Sequence, residues 1–355
     1  MVFSGESTIR NLIRPLNGLC FCEPIGSASL EARSLLFGGR TVSFKLSVGM
    51  VQWNSKNGRN RQRRHWTPEV IKMDQGNAIK KDVQEFYDKL GWEKSDDGFS
   101  DASIYEDLRP VAAEYIHRCH QRVKQHLPDS GRYLLDVASG PIQYPEYVAY
   151  SAGYERRVCA DISLRALVEA RKRLGEKGFY VVADIANLPF ADNTFDGIVS
   201  LHTIYHVPAA EQEKAFNEVH RVLAPERPAV VVYSWGARSP LMLLMLMPFQ
   251  VWNWLGRRIR ARAVSLGRSD SPALYGHHYG YWWFASRKWP FSYELYSWRS
   301  VSPDFTKIYV RPRLFGRSLL SLLFRMENAW PRFFGRVGQY PMIVFRKTPS
   351  RHPES

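Results

Sequence analysis

Residues 133–144 read YLLDVASGPIQY. An apolar stretch (Leu134, Leu135, Val137) carries an acid, Asp136, near its end, and the chain then turns through Ala138, Ser139, Gly140 and Pro141. A turn that cradles a dinucleotide wants three glycines in the order GxGxxG, for a tight turn, a close backbone approach to the pyrophosphate and close packing of the next helix. Here only Gly140 remains. The reading of the fold rests on which ligand such a turn can hold.

Working outward, short apolar runs alternate with helical spacing. Strands are expected at 133–137, 157–160, 179–182, 195–200 and 228–234, with helices at about 144–152, 163–174 and 209–223 between them. This alternation predicts an α/β fold, a parallel sheet covered by helices on both faces. Such sheets bind ligands beyond the carboxyl ends of the strands, where strand order reverses, which puts the turn at 138–141 in the binding crevice. Upstream, apolar spacing predicts helices over 77–90 and 109–126; downstream, 293–301 and 340–347 read as strands and 314–330 as a helix.

The chain has 355 residues, 45% of them hydrophobic and 14% aromatic, enough for one large domain with extensions. Its net charge of +15 is localised: residues 238–351 hold nineteen basic and four acidic residues, so the remainder is neutral overall. Such a field suggests an anionic partner or, more blandly, a solvated basic face. Cys20, Cys22, Cys119 and Cys159 form no disulfide framework or zinc-ligand spacing, so a reducing, cytoplasmic setting and no metal are expected.

Five segments flank or complete the core at 133–238. Residues 1–75 are a basic extension with the run KNGRNRQRRH (56–65) and no signal-peptide core; a transit peptide, a flexible tail and a true start at Met50 or Met73 are all compatible. Residues 76–132 form a helical lid, 239–292 an apolar and aromatic lid insertion, 293–348 the end of the sheet, and 349–355 a tail. The run SPLMLLMLMPFQVWNWL (239–255) is followed by RRIRAR. It is too short to span a bilayer and reads first as a buried helix, then as a lid or as peripheral membrane contact through 239–262. An aromatic cluster, HHYGYWWF (277–284), follows.

Three acids close successive expected strands: Asp136, Asp161 in CADI and Asp184 in VADIANLPF. For an adenosine ligand, the second suits the two ribose hydroxyls and the third the adenine amino group, with the backbone N–H of Ile185 for a ring nitrogen and Ile162 and Leu188 on the faces of the base. A pyrophosphate wants the full glycine turn on a helix N-terminus. S-adenosylmethionine carries no phosphate, so Ala138 is tolerable there, and its cationic sulfonium suits an acid-lined crevice. A lone acid after the second strand does not by itself separate it from NAD.

The stretches LLDVASGPIQ, VCADIS, VVADIANLPFADNTFDGIVSLHTIYHV and EVHRVLAP together resemble the successive motifs of class I S-adenosylmethionine-dependent methyltransferases, in the small-molecule branch that includes the ubiquinone/menaquinone C-methyltransferases. The resemblance spans about 82–235 and extends to 340–347, which matches the antiparallel end of the family's Rossmann-like, seven-stranded, mostly parallel sheet. It departs from DxGxGxG at Ala138 and Ile142. It implies S-adenosylmethionine as cofactor, with Asp161 on the ribose, Asp184 on the adenine, and Asp136, Ala138 and Gly140 around the methionine end. Leu201 would contact the cofactor after the fourth strand, and Tyr87 would close over it. The plainer alternatives are a turn cap for Asp136, a helix N-cap near Ser163 for Asp161 and a polar turn for Asp184.

His202, Tyr205 and His206 follow the fourth strand, where the methyl group should sit; His206, then His202, are the candidates to orient the acceptor or take its proton, ahead of His277 and His278. Methyl transfer from a sulfonium needs alignment first and a base only where the acceptor must lose a proton. The expected acceptor is small, apolar, aromatic or lipid-like. The fourth strand is not followed by an Asn/Asp-Pro-Pro-aromatic run, and nucleic acid is disfavoured as a partner. A non-catalytic scaffold and methylation of RNA or protein remain the alternatives.

Overall fold

The computed structural model describes residues 34–37, 40–43, 68–95, 98–260, 274–313 and 315–348. The basic run at 56–65, Cys20, Cys22, Met50, residues 261–262 and the 349–355 tail lie outside the described residues.

Seven strands form the central sheet: β1 (Gly131–Val137), β2 (Tyr154–Asp161), β3 (Gly178–Val182), β4 (Gly197–Leu201), β5 (Pro228–Val232), β6 (Ser292–Arg299) and β7 (Tyr340–Arg346). Their order is β6-β7-β5-β4-β1-β2-β3. Strands β1 to β5 are parallel, while β7 is antiparallel to both β5 and β6. The carboxyl ends of β1–β6 and the start of β7 therefore share one edge. Order reverses between β1 and β4, the point at which sheets of this kind hold their ligands.

The strands read as continuous apolar runs because both faces are buried. Along β1, Tyr133, Leu135 and Val137 enter one cluster and Leu134 the other; along β7, Ile343 and Phe345 oppose Met342 and Val344. Of the helices numbered here, α1 (Pro68–Phe86) and α2 (Pro110–Gln121) precede the sheet. Next, α3 (Leu164–Leu174) lays Leu167, Ala170 and Leu174 on one face, and α4 (Gln212–Val222) lays Ala215, Phe216, Val219 and Val222 on the other. This is the spacing of an amphipathic helix with one core-facing stripe.

Two expectations need correction. Helix α1 begins at Pro68 rather than Asn77, and a wide turn at Tyr87–Gly91 prolongs it. The expected helix 314–330 is α6 (Gly316–Ala329), and a further short helix, α7 (Pro331–Val337), follows it because Pro331 lacks the N–H to continue the first. The apolar run is one helix, α5 (Pro240–Arg260), which passes through Pro248. It is not a buried element: Met242 packs into a third cluster, but Leu243, Leu244, Met247, Phe249 and Trp252 are exposed. No described helix is long and apolar enough to cross a membrane.

Candidate active site

The turn after β1 answers the question its missing glycines raise. Ala138, Gly140 and Ile142 have φ of +54°, +55° and +56°. The two residues that replace glycines thus keep the left-handed backbone that glycine adopts freely. For an L-residue this conformation costs about 1 kcal/mol or more. Neighbours hold it in place. The N–H of Ala138 donates to the carbonyl of Ala160 at 2.6 Å, and that of Gly140 to Asp161 Oδ2 at 2.8 Å. Ile142 is fully buried in the cluster beneath.

The three strand-end acids differ in what they face. Asp136 is buried, and its carboxylate is taken up by the guanidinium of Arg157 on β2, itself fully buried. It braces β1 against β2. Asp161 accepts from the N–H of Gly140 and, through Oδ1, from the N–H of Ser163 at 2.8 Å. Ser163, not Asp161, caps α3 by accepting from the N–H of Ala166 at 3.1 Å. Burial pushes the Asp161 carboxyl up to about 6 against the pull of those two N–H groups. Asp184 accepts from the N–H of Ala186 at 2.9 Å, from Asn187 Nδ2 at 2.8 Å and from Lys80 Nζ at 2.7 Å. Burial raises its carboxyl, but these donors outweigh it and hold the group below its usual value. Of the apolar neighbours, Ile185 and Leu188 are core residues, while Ile162 and Leu201 stay partly open.

Helix α1 and the chain after it lie over this crevice. Lys80 bridges Asp184 and Glu211, and Gln84 Nε2 donates to the carbonyl of Ile162 at 3.0 Å. Tyr87 stacks on Trp92 with centroids 4.8 Å apart, and Trp92 meets Phe99 edge-on. The Trp92 ring covers Gly140 so closely that a Cβ there would lie 3.1 Å from it. Its Nε1 is buried with no hydrogen-bond partner among the described residues, an orphan donor beside the turn. The residues fit S-adenosylmethionine: Asp161 and Asp184 offer acceptors, and the Trp92 Nε1 offers a donor for a carboxylate. Trp92 escaped the sequence reading because a lone Trp in a loop carries no pattern.

Past β4, His206 Nδ1 lies 2.6 Å from the carbonyl of Tyr275 and donates to it, leaving Nε2 as an acceptor. Burial pushes its imidazole down to about 4, against the opposing pull of that carbonyl. Its ring is 6.2 Å from Tyr87 and 4.4 Å from Tyr205. The segment 274–280 folds over this end: His277 N–H donates to the carbonyl of Tyr205, and the His278 ring stacks on Tyr205. Asp101, on the short helix Ser100–Tyr105, is a second residue that the sequence did not mark. Burial pushes its carboxyl up to about 7, against a 3.4 Å hydrogen bond from Gln143 Nε2. Its charge acts on both Tyr87 and Tyr205, the rings that flank His206.

His202 does not join His206. It adopts φ +58° at the end of β4 and turns its ring to Trp298 (4.5 Å) and Tyr340 (5.2 Å). Burial and the nearby Arg299 push its imidazole well below the usual histidine range, so it is neutral. Around it lies a nest of rings and orphaned polar atoms. His202 Nε2, Trp298 Nε1, Tyr144 Oη, Arg299 Nε and His120 Nε2 are buried with no hydrogen-bond partner among the described residues, while His120 Nδ1 lies 3.7 Å from Glu146 Oε2. Arg299 is anchored to Glu106 at 2.5 Å and covers Trp298 and Tyr340. A buried polar group left unpaired costs about 1–3 kcal/mol, so these atoms offer hydrogen-bonding capacity to a water or ligand that enters the nest.

Comparison with known proteins agrees with this geometry. Residues 135–230 match the methyltransferase domain family. The ubiquinone/menaquinone biosynthesis C-methyltransferase UbiE of Roseobacter denitrificans is 35% identical over 148 residues, 40% of this chain and 58% of that protein. The probable tRNA methyltransferase 9B of Mus musculus is 28% identical over 183 residues, 50% of this chain and 37% of that protein. The chain thus spans little more than half the length of the first relative and less of the second. Among solved structures, Haemonchus contortus phosphoethanolamine N-methyltransferase 1, in complex with phosphoethanolamine and S-adenosylhomocysteine, matches 83% of this chain and 53% of its own at 10% identity, with a TM-score of 0.47. Residues 135–230 thus carry a methyltransferase domain of the S-adenosylmethionine-dependent kind, set within a seven-stranded, mostly parallel sheet.

Proposed function

We propose that this protein transfers the methyl group of S-adenosylmethionine to a small acceptor with an aromatic or apolar body and an ionisable hydroxyl. One observation carries the reading: the left-handed turn at Ala138–Ile142 is kept, against strain, directly beside Asp161. Strain of this kind persists where a function requires the shape. When bound, the cofactor supplies an activated methyl on a cationic sulfur. Asp161 and Asp184 hold its adenosine, the latter after Lys80 yields. The Trp92 Nε1 and the Gly140 turn receive the amino-acid end, and Tyr87 and Trp92 exclude water. The ring nest at His202, Trp298 and Tyr340 takes the acceptor's body, and Trp298 Nε1 and Arg299 Nε donate to its oxygens. Asp101, set near neutrality, takes the hydroxyl proton; His206, held neutral, orients the hydroxyl through Nε2.

The test is calorimetry with S-adenosylmethionine and S-adenosylhomocysteine on the intact chain and on Asp161→Ala, followed by methyl-transfer assays on phenolic, quinol and lipid-like acceptors. Micromolar binding lost in the variant supports the reading. No binding by the intact chain would point to a methyltransferase fold retained as a scaffold. A tRNA acceptor is the second reading, favoured by the likeness to the mouse relative and the basic charge of 238–351. Tight RNA binding that falls steeply with salt would favour it.

A further inference from the structure

We infer that α5, α6 and α7 form a docking face for an anionic lipid bilayer, an inference that does not depend on the methyl-transfer reading. The first observation is an apolar surface on a helix that is already packed. Leu320, Phe324 and Glu327 of α6 face inward at i, i+4 and i+7. On a different side, Phe315, Leu319, Leu322 and Met326 repeat at i, i+4, i+7 and i+11 and stand exposed, Leu322 at 55%. A helix needs one apolar stripe to bind its own core, so the second is unspent. Trp330 and Phe333 carry it into α7, both more than half exposed.

Helix α5 extends the surface. Its Met242 shares the third cluster with Leu320 and Phe324 of α6, which seats the two helices in one layer. Tyr309 bridges toward it by donating to the carbonyl of Met245 at 2.8 Å. Beyond that anchor, Leu244, Met247, Phe249 and Trp252 are exposed, Trp252 at 76%. Exposed apolar side chains gathered on neighbouring helices in this way mark an interaction site.

Charge selects the occupant. Residues 239–269 contain no acid, and the one acid in 316–337, Glu327, is buried and held by Arg122 at 2.9 Å and Tyr115 at 2.7 Å. Arg311, Arg313, Arg317 and Arg325 are exposed beside the α6 stripe, and α5 ends in Arg257, Arg258, Ile259 and Arg260. A second copy of this chain would bring one basic face against another, which like-charge repulsion opposes. An anionic bilayer offers the complementary charge and an apolar layer that accepts Leu, Met, Phe and Trp without fixed geometry. No described helix is long and apolar enough to cross a membrane, so the helices would lie in its plane. An acceptor dissolved in the bilayer would then reach the enzyme at the membrane surface.

The test is flotation of the full chain with vesicles of phosphatidylcholine alone or with about 30% phosphatidylglycerol. The expected result is binding to the anionic vesicles, at least about tenfold weaker on the neutral ones and weakened by salt. Two variants, Leu322→Glu/Met326→Glu and Leu244→Glu/Met247→Glu, address the helices separately, so the failure of one to fold leaves the other. Each should reduce flotation about tenfold while keeping its melting temperature and S-adenosylhomocysteine affinity. The inference is overturned if the intact chain ignores anionic vesicles, if folded variants float as well as the parent, or if the surface instead mediates a dimer that the same substitutions abolish.

Discussion

At the β1–β3 half of the sheet's carboxyl edge, the three strand-end acids already have protein partners: Asp136 has Arg157, Asp161 has two backbone N–H groups, and Asp184 has Lys80 and Asn187. At the β4–β6–β7 half, His202, Trp298, Arg299 and Tyr144 keep buried polar atoms without partners. The first half is a preformed frame, stable before any ligand arrives. The second keeps polar atoms that a water or a ligand can satisfy. The contrast suits one half holding a cofactor of constant chemistry and the other reading an acceptor peculiar to this protein.

The comparison can be broken most forcefully at the frame. Arg157→Leu strands the Asp136 carboxylate in the interior and should cost about 3–5 kcal/mol, read as a large drop in melting temperature; an unchanged melt would show that the pair does not brace β1 against β2. Next, Asp161→Ala should weaken S-adenosylhomocysteine about 100-fold, as expected for two hydrogen bonds to a charged acceptor at roughly 1.5 kcal/mol each. Trp298→Phe should leave that affinity within about twofold and lower kcat/KM for the acceptor about tenfold. Equal losses of cofactor affinity in the two variants would erase the division into halves.

The pH profile sharpens the acceptor side. As a base, Asp101 must be ionised, so kcat/KM should rise as pH climbs through about 7, and Asp101→Asn should abolish that rise. Linkage supplies a readout independent of activity. The folded protein holds this proton more tightly than the unfolded chain, whose carboxyl titrates near about 3.9, so the stability Asp101 contributes is present below that value and is lost as pH rises through about 7. Relative to Asp101→Asn, the parent should lose stability over that window; parallel curves would refute burial as the cause. A smaller effect is expected at the lid: Lys80→Met frees Asp184 and should tighten S-adenosylhomocysteine about threefold to tenfold, and weaker binding would make Lys80 part of the site instead. Smallest is Ala138→Gly, which relieves the left-handed strain and should gain about 1 kcal/mol with cofactor affinity unchanged.

The β1–β3 half was legible because its groups lie within a few residues of strand ends, and strand ends show in the apolar periodicity. Asp161, Asp184 and Gly140 could therefore be located from spacing alone. Partners across the fold could not. Arg157 reads as one more basic residue, and only the β1–β2 register sets it beside Asp136. Lys80 lies on α1, 104 residues before Asp184. Trp92, Asp101, Trp298 and Arg299 sit in no motif, and His202 and His206, four positions apart, point into different surroundings because His202 alone takes a left-handed backbone.

The sequence by itself determined the α/β sheet, the acids at its strand ends and the basic C-terminal third of the chain, because local spacing and composition encode all of these. Tertiary structure decided the rest. It showed that a turn short of two glycines keeps a glycine turn's shape, because β2 and a buried Ile142 hold it there. It also showed that an apolar run read as core lies on the surface. Hydrophobicity records what a side chain prefers, and only the packed fold determines whether a neighbour is there to bury it.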